Sequence, residues 1–118
     1  MGVRVSNPLT THVLDTASGR PASGLHIRLE KSIAGQFEPV GEGTTNADGR
    51  LDSPLLNASD WGAGIYRIRF ETGAYFAARK ESCFYPHVEV VFEVSAPDEH
   101  HHVPLLLSPY GFSTYRGS

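Results

Sequence analysis

Six histidines stand among 118 residues: His12, His26, His87, His100, His101 and His102. An arginine, Arg50, directly follows a turn signal, Asn46-Ala47-Asp48-Gly49. Imidazole titrates near neutrality, so a histidine can take or give a proton at physiological pH. A guanidinium stays charged and can hold a developing negative charge. Two histidines and an arginine brought together are therefore enough to activate water and stabilise an oxyanion. On an extended chain His100 and His102, two residues apart, share a face and His101 points away. Such a pair, with His12 from another strand, could begin a zinc site. No cysteine pair or HxxxH spacing supports that, and no metal or cofactor is expected.

Each of these residues also has a plainer reading. His100 and His101 read as solvated turn residues, and His26 and His87 as solvent-facing on the polar sides of strands. His12 sits mid-strand between Thr10 and Leu14 on its face. On local grounds His12 and Arg50 are each more often structural than catalytic, and spacing alone does not bring them together. Ser118 and Tyr115 carry hydroxyls, but no GxSxG motif marks a nucleophile. The single Cys83 excludes an internal disulfide, has nothing basic within two residues, and reads as a small buried hydrophobe.

The elements that must position these groups are short strands. Leu9 to Asp15 alternates, with Leu9, Thr11 and Val13 on one face and Thr10, His12 and Leu14 on the other. Leu25 to Lys31 alternates most cleanly. Phe37 to Thr45 reads as its return strand, and Arg50 to Ser53 as a short strand. Gly64 to Glu71 sets Tyr66, Ile68 and Phe70 against Ile65, Arg67 and Arg69. Thr72 to Glu81 changes period and predicts one short helix, with Thr72 as its cap. His87 to Ser95 alternates again. Val103, Leu105 and Leu107 then form an apolar face opposite His102, Pro104 and Leu106. Ser108 to Gly111 is a tight turn, and Phe112 to Tyr115 returns from it. About eight strands and one helix predict an all-β fold, an antiparallel β-sandwich.

The length predicts one domain over residues 1–118, with residues 1–8 a loose lead-in. A net charge of −3 argues against nucleic-acid binding. No apolar run approaches a membrane span. The first residues lack a signal peptide's apolar core and the last three do not match a Ser-Lys-Leu address, so a cytoplasmic location is expected. The chain stops two residues after Arg116 without a polar tail, which reads as an end placed somewhere specific.

Leu9-Thr10-Thr11-His12-Val13-Leu14-Asp15, Asn46-Ala47-Asp48-Gly49-Arg50 and His102-Val103-Pro104-Leu105-Leu106-Leu107-Ser108-Pro109 together resemble the transthyretin-related proteins. The terminal Tyr115-Arg116-Gly117-Ser118 is similar to the signature that separates the family's enzymes, the 5-hydroxyisourate hydrolases, from its hormone carrier. The resemblance covers the chain from about residue 7. It implies a transthyretin-like sandwich of two four-stranded sheets, a homotetramer built as a dimer of dimers, and active sites in clefts between dimers. It places catalytic roles on His12, Arg50, His102 and Ser118, and substrate binding on His12, Arg50, Tyr115, Arg116 and Ser118. The implied reaction is opening of the six-membered ring of 5-hydroxyisourate by water, giving 2-oxo-4-hydroxy-4-carboxy-5-ureidoimidazoline in urate degradation. Either histidine could be the base. The aromatic residue common before the family's second histidine is His101 here. Two rivals remain: a carrier of a small aromatic hormone, which wants an open apolar channel, and a structural sandwich module, which gives no reason for a terminus without a tail.

Overall fold

A computed structural model describes residues 7–118; residues 1–6, most of the expected lead-in, lie outside the described residues. The strands in chain order are β1 (Leu9–Thr10), β2 (Val13–Asp15), β3 (Arg20–Pro21), β4 (His26–Ile33), β5 (Gln36–Thr44), β6 (Gly64–Phe70), β7 (Val88–Val94), β8 (His101–His102), β9 (Leu105–Ser108) and β10 (Gly111–Thr114). One helix, α1 (Thr72–Ala77), sits between β6 and β7. Two four-stranded sheets form, in the orders β10-β9-β2-β3 and β5-β4-β6-β7, and β1 pairs separately with β8. The expected sandwich is therefore present. Its pairings are antiparallel except two: β1 with β8 and β2 with β9 run parallel.

The alternating strands bury the faces their sequences marked. Leu25, Ile27 and Leu29 meet Tyr66, Ile68 and Phe70 in the core, closed by Val13, Leu105 and Leu107 from the other sheet. Removing each such side chain from water contributes about 1.5–3 kcal/mol. Strand β5 lies at a sheet edge and is largely exposed. Its glutamates and Pro39 discourage pairing with another chain.

Four local expectations are corrected. The expected single strand from Leu9 to Asp15 breaks at Thr11 and His12. Thr11 is buried, and its hydroxyl donates to the Val103 carbonyl at 2.7 Å. Pro104, which has no N–H, coincides with the matching break between β8 and β9. Arg50 to Ser53 makes no strand, because Asp52 accepts a bond from Asn46 Nδ2 at 2.8 Å and the segment folds onto its own turn. The α-helical residues stop at Ala77. Beyond them Lys80 adopts a left-handed φ of 59°, Lys80 N–H bonds the Ala77 carbonyl and Glu81 N–H the Phe76 carbonyl. That pair of bonds closes a helix end regardless of further helix-favouring residues. Thr72 is not the cap. Glu71 holds that position, and the buried Thr72 hydroxyl donates to the Tyr85 carbonyl.

The helix is tied to β2 through a buried polar pair. Asp15 is 2 % exposed. Its carboxylate accepts from the Ala17 and Ser18 amides and, at 2.9 Å, from the Tyr75 hydroxyl. Burial, the bond to Asp15 and the carboxylate's charge push the Tyr75 phenol up from 10.0 to about 12. A raised pKa means the folded state keeps the proton longer than the unfolded chain. The stability it contributes is complete below about pH 10 and is lost as pH rises toward 12. Tyr75→Phe is expected to cost about 1–3 kcal/mol at neutral pH, the range for a hydrogen bond to a charged group. It should also flatten the decline above pH 10. Urea midpoints between pH 7 and 11 check both effects.

Candidate active site

The interrupted strand at residues 9–15 and the Arg50 turn are built against each other. Asn46 Oδ1 accepts from the Asp48 and Arg50 amides at 2.9 and 3.1 Å, so one side chain replaces two backbone acceptors and fixes the turn. Gly49 completes it with a φ of 76°, and its carbonyl accepts from the Val13 amide at 2.8 Å. A Cβ at Gly49 would overlap the Val13 carbonyl oxygen, so only glycine lets the turn dock this closely. Docking brings the Asp48 carbonyl to 2.8 Å from His12 Nε2. A carbonyl only accepts, so His12 Nε2 carries the proton and Nδ1 is its lone-pair nitrogen when neutral. A cavity of about 140 Å³ opens beside this junction, with Thr10, Thr11, Arg50 and Ser53 in its wall.

His102 reaches the same region from the other end of the sequence. In the parallel β1–β8 pair Thr10 lies opposite His102, and the Thr10 hydroxyl oxygen is 2.8 Å from His102 Nδ1. The other edge of the ring lies on Gly117. Gly117 bridges His102 in antiparallel fashion, its amide donating to the His102 carbonyl at 2.8 Å, and a Cβ there would overlap His102 Cδ2. The imidazole is therefore clamped between a hydroxyl and a glycine, with Nε2 the nitrogen that Thr10 does not engage. Burial, then the Arg50 charge, then His100 and His12 pull the His102 pKa below the usual imidazole value. The charges of Arg50, His100 and His12 thus all oppose a charge on His102.

His100, set by its spacing on the face of His102 and then read as a solvated turn residue, was given no site role from the sequence. It is exposed, as a turn residue would be, but its Nε2 is 2.9 Å from the Thr10 hydroxyl and its ring lies parallel to His102 at 6.3 Å. The i, i+2 spacing was the available signal. What it touches, Thr10, is 90 residues away. His101 corrects the solvated reading: it is 4 % exposed, its Nδ1 bonds the Glu99 carbonyl and its ring packs edge-on against Trp61. His26 stays on the outer face of β4 beside Glu42, whereas His87 lies just before β7, half-buried beside Glu89, not on the strand face expected for it. Cys83 is half-buried, its thiol donating to the Tyr85 carbonyl.

The terminal residues divide. Gly117 touches His102, and Ser118, exposed, is the next residue along. Arg116 reaches away, to Glu99 Oε1 and the His100 carbonyl, both at 3.2 Å. Tyr115 is exposed and lines a separate groove of about 240 Å³ with Val91, Phe92 and Val103. Within one chain the structure thus joins His100, His102 and Gly117 around Thr10 and His12 to the Arg50 turn, and sets Tyr115 and Arg116 along a different groove.

The HIUase/Transthyretin family model matches residues 9–117. The mouse 5-hydroxyisourate hydrolase is 49% identical over 115 residues, covering 96% of this chain and 97% of its own. Among solved structures, Klebsiella pneumoniae 5-hydroxyisourate hydrolase superposes with a TM-score of 0.81 at 35% identity, over 93% of this chain and 98% of that one. Sea bream transthyretin in complex with thyroxine superposes with a TM-score of 0.87 at 31% identity, over 93% and 94%. Backbone likeness therefore does not separate hydrolase from carrier, and the site chemistry has to.

Proposed function

We propose that this chain, which belongs to the HIUase/transthyretin family, hydrolyses 5-hydroxyisourate in urate degradation, opening the six-membered ring to 2-oxo-4-hydroxy-4-carboxy-5-ureidoimidazoline. The observation that carries the reading is the electrostatic environment of His102. Desolvation of this half-buried imidazole and the Arg50 charge both lower its pKa, which favours the neutral form that a general base requires. A hormone carrier gains nothing from that arrangement, since charge and imidazole edges in a channel disfavour an apolar ligand.

In this reading His102 Nε2 takes a proton from the attacking water. Arg50 binds the planar, electron-rich substrate and stabilises the oxyanion that forms on the attacked carbonyl. His12, whose Nε2–H is committed to the Asp48 carbonyl, orients water or substrate through Nδ1. Ser118 supplies a hydroxyl at the wall next to the Gly117 bridge. Tyr115 and Arg116 bind substrate only where chains meet, because within one chain they face another groove. No cofactor or metal is assigned a role.

The reading includes a homotetramer, a dimer of dimers with sites between dimers. Strands β7 and β10 end their sheets, and Val91, Phe112 and Tyr115 on them or beside them are large exposed hydrophobics. Such a surface suits association with a second copy. Light scattering should give the mass of four chains; a monomer at micromolar concentration would refute this part. Among the described residues no helix is long and apolar enough to cross a membrane, and the lone cysteine suits the cytoplasm.

The test is decay of freshly generated 5-hydroxyisourate, followed by absorbance. The protein should accelerate it well beyond the spontaneous rate, and no acceleration would remove the hydrolase reading. His12→Ala and His102→Ala are each expected to lose about a hundredfold or more in kcat/KM, the scale of a lost general base. His26→Ala and His87→Ala should stay near the parent. Equal behaviour of His12→Ala and His26→Ala would show that the cleft assignment is wrong.

A further inference from the structure

Thr10 places one hydroxyl between two imidazoles, 2.9 Å from His100 Nε2 and 2.8 Å from His102 Nδ1. A hydroxyl has a single proton, so it donates to one ring and must accept from the other. Only two arrangements of the neutral rings satisfy both contacts. In the first, His102 Nδ1–H donates to Thr10, Thr10 donates to His100 Nε2, and the lone pair of His102 is on Nε2. In the second every bond is reversed and His102 carries its proton on Nε2. The tautomers of His100 and His102 are therefore locked together through Thr10.

We propose that Thr10 is a positioning residue that relays a proton between His102 and His100, switching His102 from base to acid within one turnover. The proposal rests on the hydrolase reading. In the first arrangement His102 Nε2 accepts a proton from the attacking water. The His102 Nδ1–H proton passes to the Thr10 oxygen as the Thr10 proton passes to His100 Nε2. Three N–H or O–H bonds break and three form, and the positive charge moves to His100. His102 is left neutral, with a proton on Nε2 to give to the departing ring nitrogen. When it gives that proton, the relay runs backward and restores the first arrangement. The net change is the addition of water across the C–N bond.

The fold is arranged for this transfer. Thr10 is held by strand pairing, directly opposite His102 and with its carbonyl bonded to the Val103 amide at 2.9 Å. Its β-branch limits the hydroxyl to few directions. His100 is exposed, so water can solvate the charge it receives, whereas His102 is half-buried and the charges of Arg50, His100 and His12 all oppose charge on it.

Thr10→Val keeps the shape and removes the hydroxyl; Thr10→Ser keeps the hydroxyl. With 5-hydroxyisourate as substrate, Thr10→Val should lower kcat about tenfold or more with KM within about twofold, and Thr10→Ser should recover most of the loss. Long-range proton–nitrogen NMR of the imidazoles supplies a readout independent of turnover. The parent and Thr10→Ser should hold His102 with its proton on Nδ1 at neutral pH, and Thr10→Val should move it to Nε2. An unchanged kcat in Thr10→Val, equal losses in both variants, or the same His102 tautomer in all three proteins would overturn the relay. Failure of the parent to hydrolyse 5-hydroxyisourate would instead overturn the hydrolase reading, and the tautomer comparison would still decide the wiring.

Discussion

Arg50→Ala is expected to lower kcat/KM for 5-hydroxyisourate by at least about a hundredfold, the scale of one lost oxyanion donor. It should also move the acid limb of the pH profile upward. The two effects have separate causes. The first is lost contact with the developing oxyanion. The second follows from the charge Arg50 places near His102, which after burial is the largest influence holding that imidazole below its ordinary value. Without the guanidinium the His102 pKa rises, so more of the base is protonated at a given pH and activity fails at higher pH than in the parent. The parent should stay active to below the usual imidazole range. Folding stability carries the same sign: a depressed His102 pKa costs stability as pH falls through it, because the unfolded chain binds the proton more readily. Arg50→Lys keeps the charge but not the two-pronged donor geometry. It should hold the parent's acid limb while losing much of the rate. Profiles of kcat/KM from pH 5 to 8 for the three proteins check this, and an unmoved limb in Arg50→Ala would separate Arg50 from His102.

Removing Tyr115 to Ser118 is expected to abolish measurable hydrolysis and leave the sandwich folded. The segment contributes none of the core side chains. It does contribute the Gly117 amide that bonds the His102 carbonyl and the backbone against which the imidazole lies. It also contributes the Arg116 guanidinium that ties the tail to Glu99 and the His100 carbonyl. Loss of the segment frees the His102 ring, and a misplacement of about 1 Å can cost about a hundredfold. Gly117→Ala is the milder companion. Its methyl group would meet the edge of the His102 ring, so the ring or the tail must move, and kcat should fall about tenfold. Circular dichroism melts with rate measurements would check the pair. Full activity in the shortened protein would show that the tail does not hold the ring.

The sandwich was legible because burial on one face writes itself into alternation. Leu25, Ile27 and Leu29, and Tyr66, Ile68 and Phe70, share a face by period alone, and those faces are the buried ones. The two buried carboxylates, Asp15 and Glu30, were not. Their partners, Tyr75 at 60 residues' distance and Arg67 at 37, leave no trace in local pattern. The site shows the same divide. The Asn46 to Gly49 turn and its aim on Arg50 were readable, because an Asx turn is local chemistry. That His12, Arg50 and His102 belong to one site came only from resemblance, since the Val13–Gly49 contact and the parallel β1–β8 pairing that position them leave no local signal. His100 looked idle for that reason, and the reason for glycine at position 117 became visible only with the His102 ring in place.

The parallel pairing of β1 with β8 and β2 with β9 also sets an order of events during synthesis. The contact of Thr10 with His102 spans 92 residues, and a ribosome adding roughly 5–20 residues per second needs several seconds to cover that distance. Strands β4, β5 and β6 can pair as neighbours as soon as they emerge. Strand β2 can pair early with β3, but β1 and the other edge of β2, with the apolar Leu9 and Val13, must wait until β8 and β9 arrive. Contacts of such long range slow folding, and an unpaired apolar strand is the species that aggregates or recruits a chaperone. Catalytic competence in a nascent chain should therefore lag behind compactness by the time it takes to make the last strands.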